Sequence, residues 1–366
     1  MKRFELVGEG INLILRDNVL AVLSDTPLTT VSSAFHNGGG LKKTKAILNV
    51  EVLKSCSDPC LHDDPEAYIL NSSKKFELEE GFIGMVTAAA VENFSLVSKR
   101  DGELAVSVIA TAADNEGSTC NYAESAGEPT DIQVSKGTIN IIVVIDGNPT
   151  ESCLVGTLIT VTEAKAAALR ELDVRSRFSG DEATGTVTDA VVVAKTNRGA
   201  PIVYGGPASE LGQLVGYCTR KAVKEAVTKG DEFMPSRSVK ERLRERHLSL
   251  EKLASELSKV NDLKVDEQTL ARIFGNEPLF ALLVLAAAKM DEDAKKGLLP
   301  SELGNIESAS KRFGGLLMKT SVGARIPAGF KAEDNLESVD LPPFTKHVLV
   351  NLVRNALSAE GLKSLK

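Results

Sequence analysis

Residues 137–194 constrain the fold more than any other stretch of the chain. They open on a run of strand formers, Gly137-Thr-Ile-Asn-Ile-Ile-Val-Val-Ile-Asp146, and turn at Gly147-Asn148-Pro149. An Ala-rich stretch containing Thr162-Glu-Ala-Lys-Ala-Ala-Ala-Leu169 follows, and then Ala183-Thr-Gly-Thr-Val-Thr-Asp-Ala-Val-Val-Val-Ala194. Two apolar β-branched runs around a segment of period 3.6 predict strand, helix, strand. Polar residues gather where the last strand begins. In an extended chain Thr184, Thr186 and Thr188 share one face, and Asp189 lies on the opposite one. Gly185 among them leaves room for another group to approach the backbone.

Length and charge set the surroundings of this unit. At 366 residues the chain suits two domains rather than one. The expectation is a mixed-sheet α/β or α+β domain over residues 1–230 and a linker over 231–236. An all-α helical bundle over 237–366 completes it. Trp is absent, so Val, Ile, Leu and Ala must build the cores. The first 234 residues carry 32 acidic and 22 basic side chains, which argues against nucleic acid as their ligand. The N-terminal residues lack the apolar core of a signal peptide, and no apolar run suggests a bilayer span. Five cysteines without a disulfide pattern predict a reducing, cytoplasmic setting.

Upstream, residues 11–15 and 19–23 flank Arg16-Asp17-Asn18 and predict a hairpin. Residues 29–35 predict a further strand, ending at His36-Asn37-Gly38-Gly39-Gly40. Those glycines allow positive φ and leave amides free to face a ligand, or they simply make a turn. Cys56, Cys60 and His62 lie close together, but no second ligand pair follows, so a zinc site is not expected. Residues 81–90 predict a buried strand, 94–99 and 104–111 a hairpin around Gly102, and 115–131 a loop over the site. On the central helix Val155, Ile159, Thr162, Ala166 and Leu169 form the expected core-facing stripe. Glu163 and Lys165 flank it, and at a spacing of two they cannot pair with each other.

Five blocks together carry a resemblance. Asn37-Gly38-Gly39, Val86-Thr87-Ala88-Ala89, Gly137-Thr-Ile-Asn-Ile, Thr162 to Leu169 and Ala183 to Asp189 resemble the adenosylcobinamide amidohydrolase family, in family order, over about residues 5–230. The segment 111–127, with Asp114-Asn-Glu-Gly-Ser-Thr119, departs from the family pattern. The resemblance implies cleavage of the amide joining the corrin propionyl side chain to aminopropanol or its phosphate. Adenosylcobyric acid would then enter the archaeal cobalamin pathway as salvaged corrinoid. It implies no cofactor beyond the corrinoid substrate itself.

Amide hydrolysis needs an activated nucleophile, stabilisation of an oxyanion and a proton for the leaving amine. The four histidines form no Ser-His-Asp arrangement, and only His36 lies near a motif. Asp189 and Glu163 are the candidate general bases acting on water. Thr184 and Thr186 are alternative nucleophiles if a base lies beside them. Amides of Gly38, Gly39 and Gly185 are candidates for an oxyanion hole, and Asn37 and Asn140 for holding the scissile amide. Thr87, Lys165 and Thr188 fall in the same blocks and count as substrate-binding. A corrinoid-binding protein without catalysis, carrying a helical assembly module, is the alternative.

Beyond residue 235 the pattern is helical, over residues 238–246, 248–259, 278–289, 310–319 and 345–358. Ser249 is an expected N-cap. Residues 289–300 and 321–330 resemble the phosphatidylglycerophosphatase A-like proteins, whose archaeal relatives include an α-ribazole-phosphate phosphatase. Val350-Asn351 stands where that family has an acidic pair. The resemblance implies a phosphatase acting on α-ribazole phosphate with Mg2+. Asp291 would be its catalytic and metal-binding carboxylate, with Glu302 and Glu307 as nearby alternatives. Lys319, Ser321 and Arg325 would grip phosphate. A homo-oligomer is compatible with the sequence.

Overall fold

Apolar runs punctuated by tight turns make the first half of the chain a sheet protein. A computed structural model describes residues 1–52, 64–113, 119–120, 137–176, 179–186, 188–229, 235–260, 265–276, 278–320 and 336–363. The chain divides into two units, Met1–Ser236 and Arg237–Lys366. The first opens with β1 (Lys2–Glu5), β2 (Ile11–Arg16), β3 (Val19–Ser32), β4 (Gly39–Glu51), α1 (Pro65–Ser73), β5 (Ile83–Thr87), β6 (Ser95–Asp101) and β7 (Leu104–Ala113). It continues with β8 (Thr119–Cys120), β9 (Thr138–Asp146), β10 (Asn148–Pro149), α2 (Glu151–Glu171), β11 (Gly185–Thr186), β12 (Ala190–Lys195), β13 (Pro201–Ile202) and α3 (Glu210–Lys229).

Nine strands make one mixed sheet. The β2–β3 turn puts Asp17 and Asn18 at φ of 48° and 62°, the pair of left-handed residues that matches hairpin twist. The separate strand expected over residues 29–35 is instead the second half of β3. Its register against β4 shifts between Leu23 and Leu28, a bulge that bends the strand. The first half of β3 therefore pairs with β2 and the second with β12. β9 and β12 run parallel, Ala190 opposite Asn140, with α2 as their crossover. The expected strand–helix–strand unit is present, but its last strand is broken: β11 pairs with β8, apart from β12. That pairing also places Thr119 and Cys120 in an antiparallel ladder within the segment expected to be a loop.

Alternation along the strands sorts the core into layers. Ile139, Ile141, Val143 and Ile145 of β9 face α2 and α3, packing on Leu154, Val161, Val215 and Val223. Ile142 and Val144 face the other way, onto Leu20, Val22, Ile47 and Met85. Val19, Ala21 and Leu48 on the far side of β3 and β4 pack on Ile69 of α1. β9 is thus buried on both faces, which explains the apolar run from Ile141 to Ile145.

α2 corrects the expected stripe. Val155 and Ile159 are 50 % and 59 % exposed, and Thr162 is exposed too. The buried face is Cys153, Leu154, Thr157, Thr160, Val161, Ala164, Lys165, Ala168 and Leu169. Small residues face the neighbouring chain because it comes very close: a Cβ on Gly205 would sit 2.6 Å from the Cys153 carbonyl oxygen. Their hydroxyls are satisfied by Thr157 donating to Cys153 O and Thr160 donating to Gly205 O, both at 2.8 Å. Contrary to the expectation of no span-length apolar segment, α2 is long and apolar enough to cross a membrane by length and composition. Half of that window is buried in the unit.

In the second unit the described elements are helices: α4 (Val239–Arg244), α5 (Leu250–Leu257), α6 (Glu267–Asn276), α7 (Pro278–Lys295), α8 (Ile306–Thr320) and α9 (Pro343–Lys363), with short 3-10 turns. Leu253, Leu257, Leu270, Val284, Phe344, Val348 and Leu352 share their core. Ser249 caps α5 by accepting from Lys252 N, as expected. α6 was not foreseen. Its start is marked by Asp266, which accepts from Thr269 N at 2.8 Å.

Candidate active site

Three segments, β11, β9 and α2, converge on one carboxylate at the end of the sheet where β9 and β12 begin. The Asp189 side chain is 11 % exposed. Its Oδ1 accepts from the Thr186 hydroxyl at 2.5 Å and from the Ile139 amide at 2.8 Å. Its Oδ2 accepts from the Thr186 amide at 3.1 Å and from the Lys165 ammonium. A buried carboxylate is tolerated only with such partners. Because β11 ends at Thr186 and β12 begins at Ala190, Asp189 folds back onto the residue three before it. The expected separation of Asp189 and Thr186 onto opposite strand faces is therefore wrong, and the two are in direct contact.

Lys165 reaches Asp189 from α2, its own side chain 9 % exposed. Gly185 lies under the pair. A Cβ there would sit 2.7 Å from Lys165 Nζ and would also strike the Asp189 carboxylate, so a side chain at this position would have to displace the pair. Thr188 fastens the strand starts: its hydroxyl meets the Thr138 hydroxyl at 2.7 Å and donates to Gly137 O at 3.2 Å. Thr184 is exposed. Glu163 does not join this centre. Two residues from Lys165, it points roughly 160° away around the helix. It is exposed and lines an open groove of about 880 Å³ with Thr160, Ala164 and Tyr217.

Asn140 is committed to structure. Its amide donates to Asn49 Oδ1 and to Val86 O, both at 2.8 Å, and its Oδ1 accepts from Ala190 N at 3.1 Å. Asn49 in turn donates to Thr111 Oγ1 at 2.8 Å. Both amide hydrogens of Asn140 are used, so the network braces β4, β5, β7, β9 and β12 behind Asp189 and leaves none to hold a substrate amide. Thr87, fully buried, accepts from Ala89 N at 3.0 Å and shapes the turn after β5.

The Asn37–Gly39 loop lies at the same sheet end. Gly39 pairs with Ser32, and Ser33 exchanges hydrogen bonds with Val191. Asn37, at φ 54°, donates to Phe82 O at 3.0 Å. Its amide also lies 3.1 Å from His36 Nε2, while His36 Nδ1 lies 3.0 Å from Glu66 Oε1. Gly38 packs against the Ala34 backbone, and Gly39 is exposed at φ 95°. The sequence reading missed Asn49, Thr111 and the His36–Glu66 contact. A lone Asn inside Ile47-Leu48-Asn49-Val50 was the available signal, since a buried amide in an apolar strand requires partners.

The thiols of the core are poor nucleophiles. Burial pushes the Cys153 thiol up and the Cys218 thiol up to about 11. Cys56, Cys60 and His62 lie outside the described residues, as do Ser321, Arg325 and most of residues 111–127. Among the described residues no group of three or more His, Cys, Asp or Glu is placed to hold a metal. In the second unit Asp291 accepts from the Phe344 and Thr345 amides, both at 2.8 Å, and so caps α9. Glu302 is exposed near Ser301. Glu307 meets His347 Nε2 at 3.1 Å. Lys319 lies in the last turn of α8.

Residues 7–235 match the family model described as adenosylcobinamide amidohydrolase. A protein of that name from Methanosarcina mazei is 29% identical over 227 residues, covering 59% of this chain and 93% of that protein. The uncharacterized protein MJ1613 of Methanocaldococcus jannaschii is 37% identical over 98 residues, 26% of this chain, and the match spans only 38% of that relative's length. Among solved structures, the PH0078 protein of Pyrococcus horikoshii OT3 aligns at 11% identity over 60% of this chain and 84% of that one, with a TM-score of 0.30. The L-aminopeptidase D-Ala-esterase/amidase of Ochrobactrum anthropi aligns at 10% identity over 65% and 91%, also with a TM-score of 0.30. At these scores the structural likenesses carry no argument.

Proposed function

Since the chain belongs, over residues 7–235, to the adenosylcobinamide amidohydrolase family, we propose that its first unit hydrolyses the linear amide between a corrin propionyl side chain and aminopropanol. The substrate is adenosylcobinamide and the products are adenosylcobyric acid and aminopropanol, or its phosphate when the arm is phosphorylated. The observation that carries this reading is the Thr186 hydroxyl. It is partly exposed and aims its proton at a carboxylate that Lys165 and the Ile139 amide hold in place. A hydroxyl paired with a fixed proton acceptor is what acyl transfer requires. Thr184 and Gly39, at the same sheet end, are exposed.

The test incubates the full chain with adenosylcobinamide and follows free aminopropanol by amine derivatisation. Release in proportion to enzyme supports the reading. Tight corrinoid binding with no release would replace it with the non-catalytic binding protein.

A further inference from the structure

We infer that Thr186 is the nucleophile and that the reaction passes through an acyl-threonine ester, with Lys165 as a positioning residue acting through Asp189. The inference rests on the amidohydrolase reading and deepens it.

The geometry points this way because of how the Asp189 lone pairs are used. A carboxylate that activates water needs a lone pair free to receive the water proton. Asp189 receives four donors: the Thr186 hydroxyl, the Thr186 amide, the Ile139 amide and the Lys165 ammonium. Two are backbone amides fixed by the fold. The ammonium is held in a buried ion pair. The one donor that can give up its proton and take part in bond making is the Thr186 hydroxyl, 2.5 Å from Oδ1. The group that Asp189 is built to deprotonate is therefore Thr186, and a threonine with an adjacent base is an activated nucleophile.

The step balances without a further reactant. Thr186 Oγ1 forms a bond to the amide carbonyl carbon while its proton moves to Asp189 Oδ1. Collapse of the tetrahedral adduct breaks the C–N bond, and the leaving nitrogen takes that proton and departs as the free amine. Water then attacks the ester and gives a proton to Asp189. Thr186 Oγ1 leaves and recovers it. The sum is one water consumed per amide.

Lys165 touches none of these atoms. It holds Oδ2, so that Oδ1 stays aimed at Thr186, and it offsets the carboxylate's charge in a site where both side chains are about nine-tenths buried. Gly185 serves the same arrangement, because a Cβ there would press on both partners of the pair. The local sequence Thr-Gly-Thr-Val-Thr-Asp thus assigns one threonine to chemistry and another, Thr188, to fastening the strand starts.

The experiment uses the full chain and adenosylcobinamide. Native protein is quenched with acid during turnover and its mass is measured. A corrinoid acyl adduct that maps to the peptide containing Thr186 is expected, and added hydroxylamine should divert product to the corrinoid hydroxamate. Thr186→Ala should lose amine release by at least on the order of 1,000-fold and show no adduct, whereas Thr186→Ser should keep both. Lys165→Arg should restore most of the kcat that Lys165→Met loses, with KM little changed, and Lys165→Met should shift the acid limb of the kcat–pH profile. Native turnover with no adduct and no hydroxamate would overturn the acyl-threonine and leave the amidohydrolase reading standing. So would a folded Thr186→Ala protein that retains turnover. If native protein releases no amine at all, both readings fall.

Discussion

Replacing Lys165 by methionine tests whether the cluster around Asp189 is held as the structure indicates. The substitution keeps the length and apolar stem of the side chain and deletes one charge. What remains is a carboxylate whose side chain is 11 % exposed, with its ion-pair partner gone. Breaking a buried pair from one side costs about 3–5 kcal/mol. Asp189 keeps three donors, the Thr186 hydroxyl at 2.5 Å, the Ile139 amide at 2.8 Å and the Thr186 amide at 3.1 Å. The low end, about 3 kcal/mol, is therefore expected. For a unit of this size each kcal/mol shifts Tm by about 2–4 °C, so the fall should be on the order of 6–12 °C. Calorimetry of the full chain reads it, and hydrogen exchange of the β9 and β12 amides assigns the transition to the first unit. Adding Asp189→Asn removes the stranded charge, so the double variant should be more stable than the sum of the single losses by at least about 1 kcal/mol. A loss below about 1 kcal/mol, with additive double-variant behaviour, would mean that Lys165 and Asp189 are held by solvent, and the positioning role would go with them.

Asp291 should behave as a helix cap whose burial raises its carboxyl above the ordinary carboxylate range, against the pull of the Phe344 and Thr345 amides. A carboxyl raised in the folded state binds a proton that the unfolded chain has already released. Asp291 should therefore contribute more stability as pH falls from neutral toward about 4, and Asp291→Asn should remove that contribution from the urea-midpoint profile of the second unit. Parallel urea-midpoint profiles for the two proteins would refute it. Cys153 and Cys218 should resist iodoacetamide at pH 8 in the native protein and react after denaturation, because burial raises both thiols, Cys218 to about 11. Peptide mapping that finds either one alkylated at the rate of an exposed thiol would contradict the packing of α2 and α3.

Local signals carried far in this chain. The β2–β3 and β6–β7 hairpins follow from residue types that accept left-handed φ, Asp17, Asn18 and Gly102, between apolar runs. The central strand–helix–strand unit follows from two β-branched runs and a segment of period 3.6. The block Ala183 to Asp189 was legible as the place where chemistry gathers, and Ser249 as a cap.

Other features depend on what each segment meets in space. Val155 and Ile159 look like a core stripe, yet α2 buries Thr157, Thr160 and Ala164, because the facing backbone comes too close for large side chains. A hydrophobic pattern ranks residues by apolarity and holds no information about that distance. Asn140 looked available for a substrate until Asn49 and Val86, far away in sequence, were seen to take both of its amide hydrogens. Periodicity gives Glu163 and Lys165 equal standing as flank residues. Only the turn before β12, which brings Asp189 back over Thr186 and beneath α2, puts Lys165 in the site and leaves Glu163 in solvent. The residue types needed for the chemistry are written in the sequence. Which of them share one carboxylate is decided by tertiary structure, because each contact joins elements whose separation along the chain sets no distance between them.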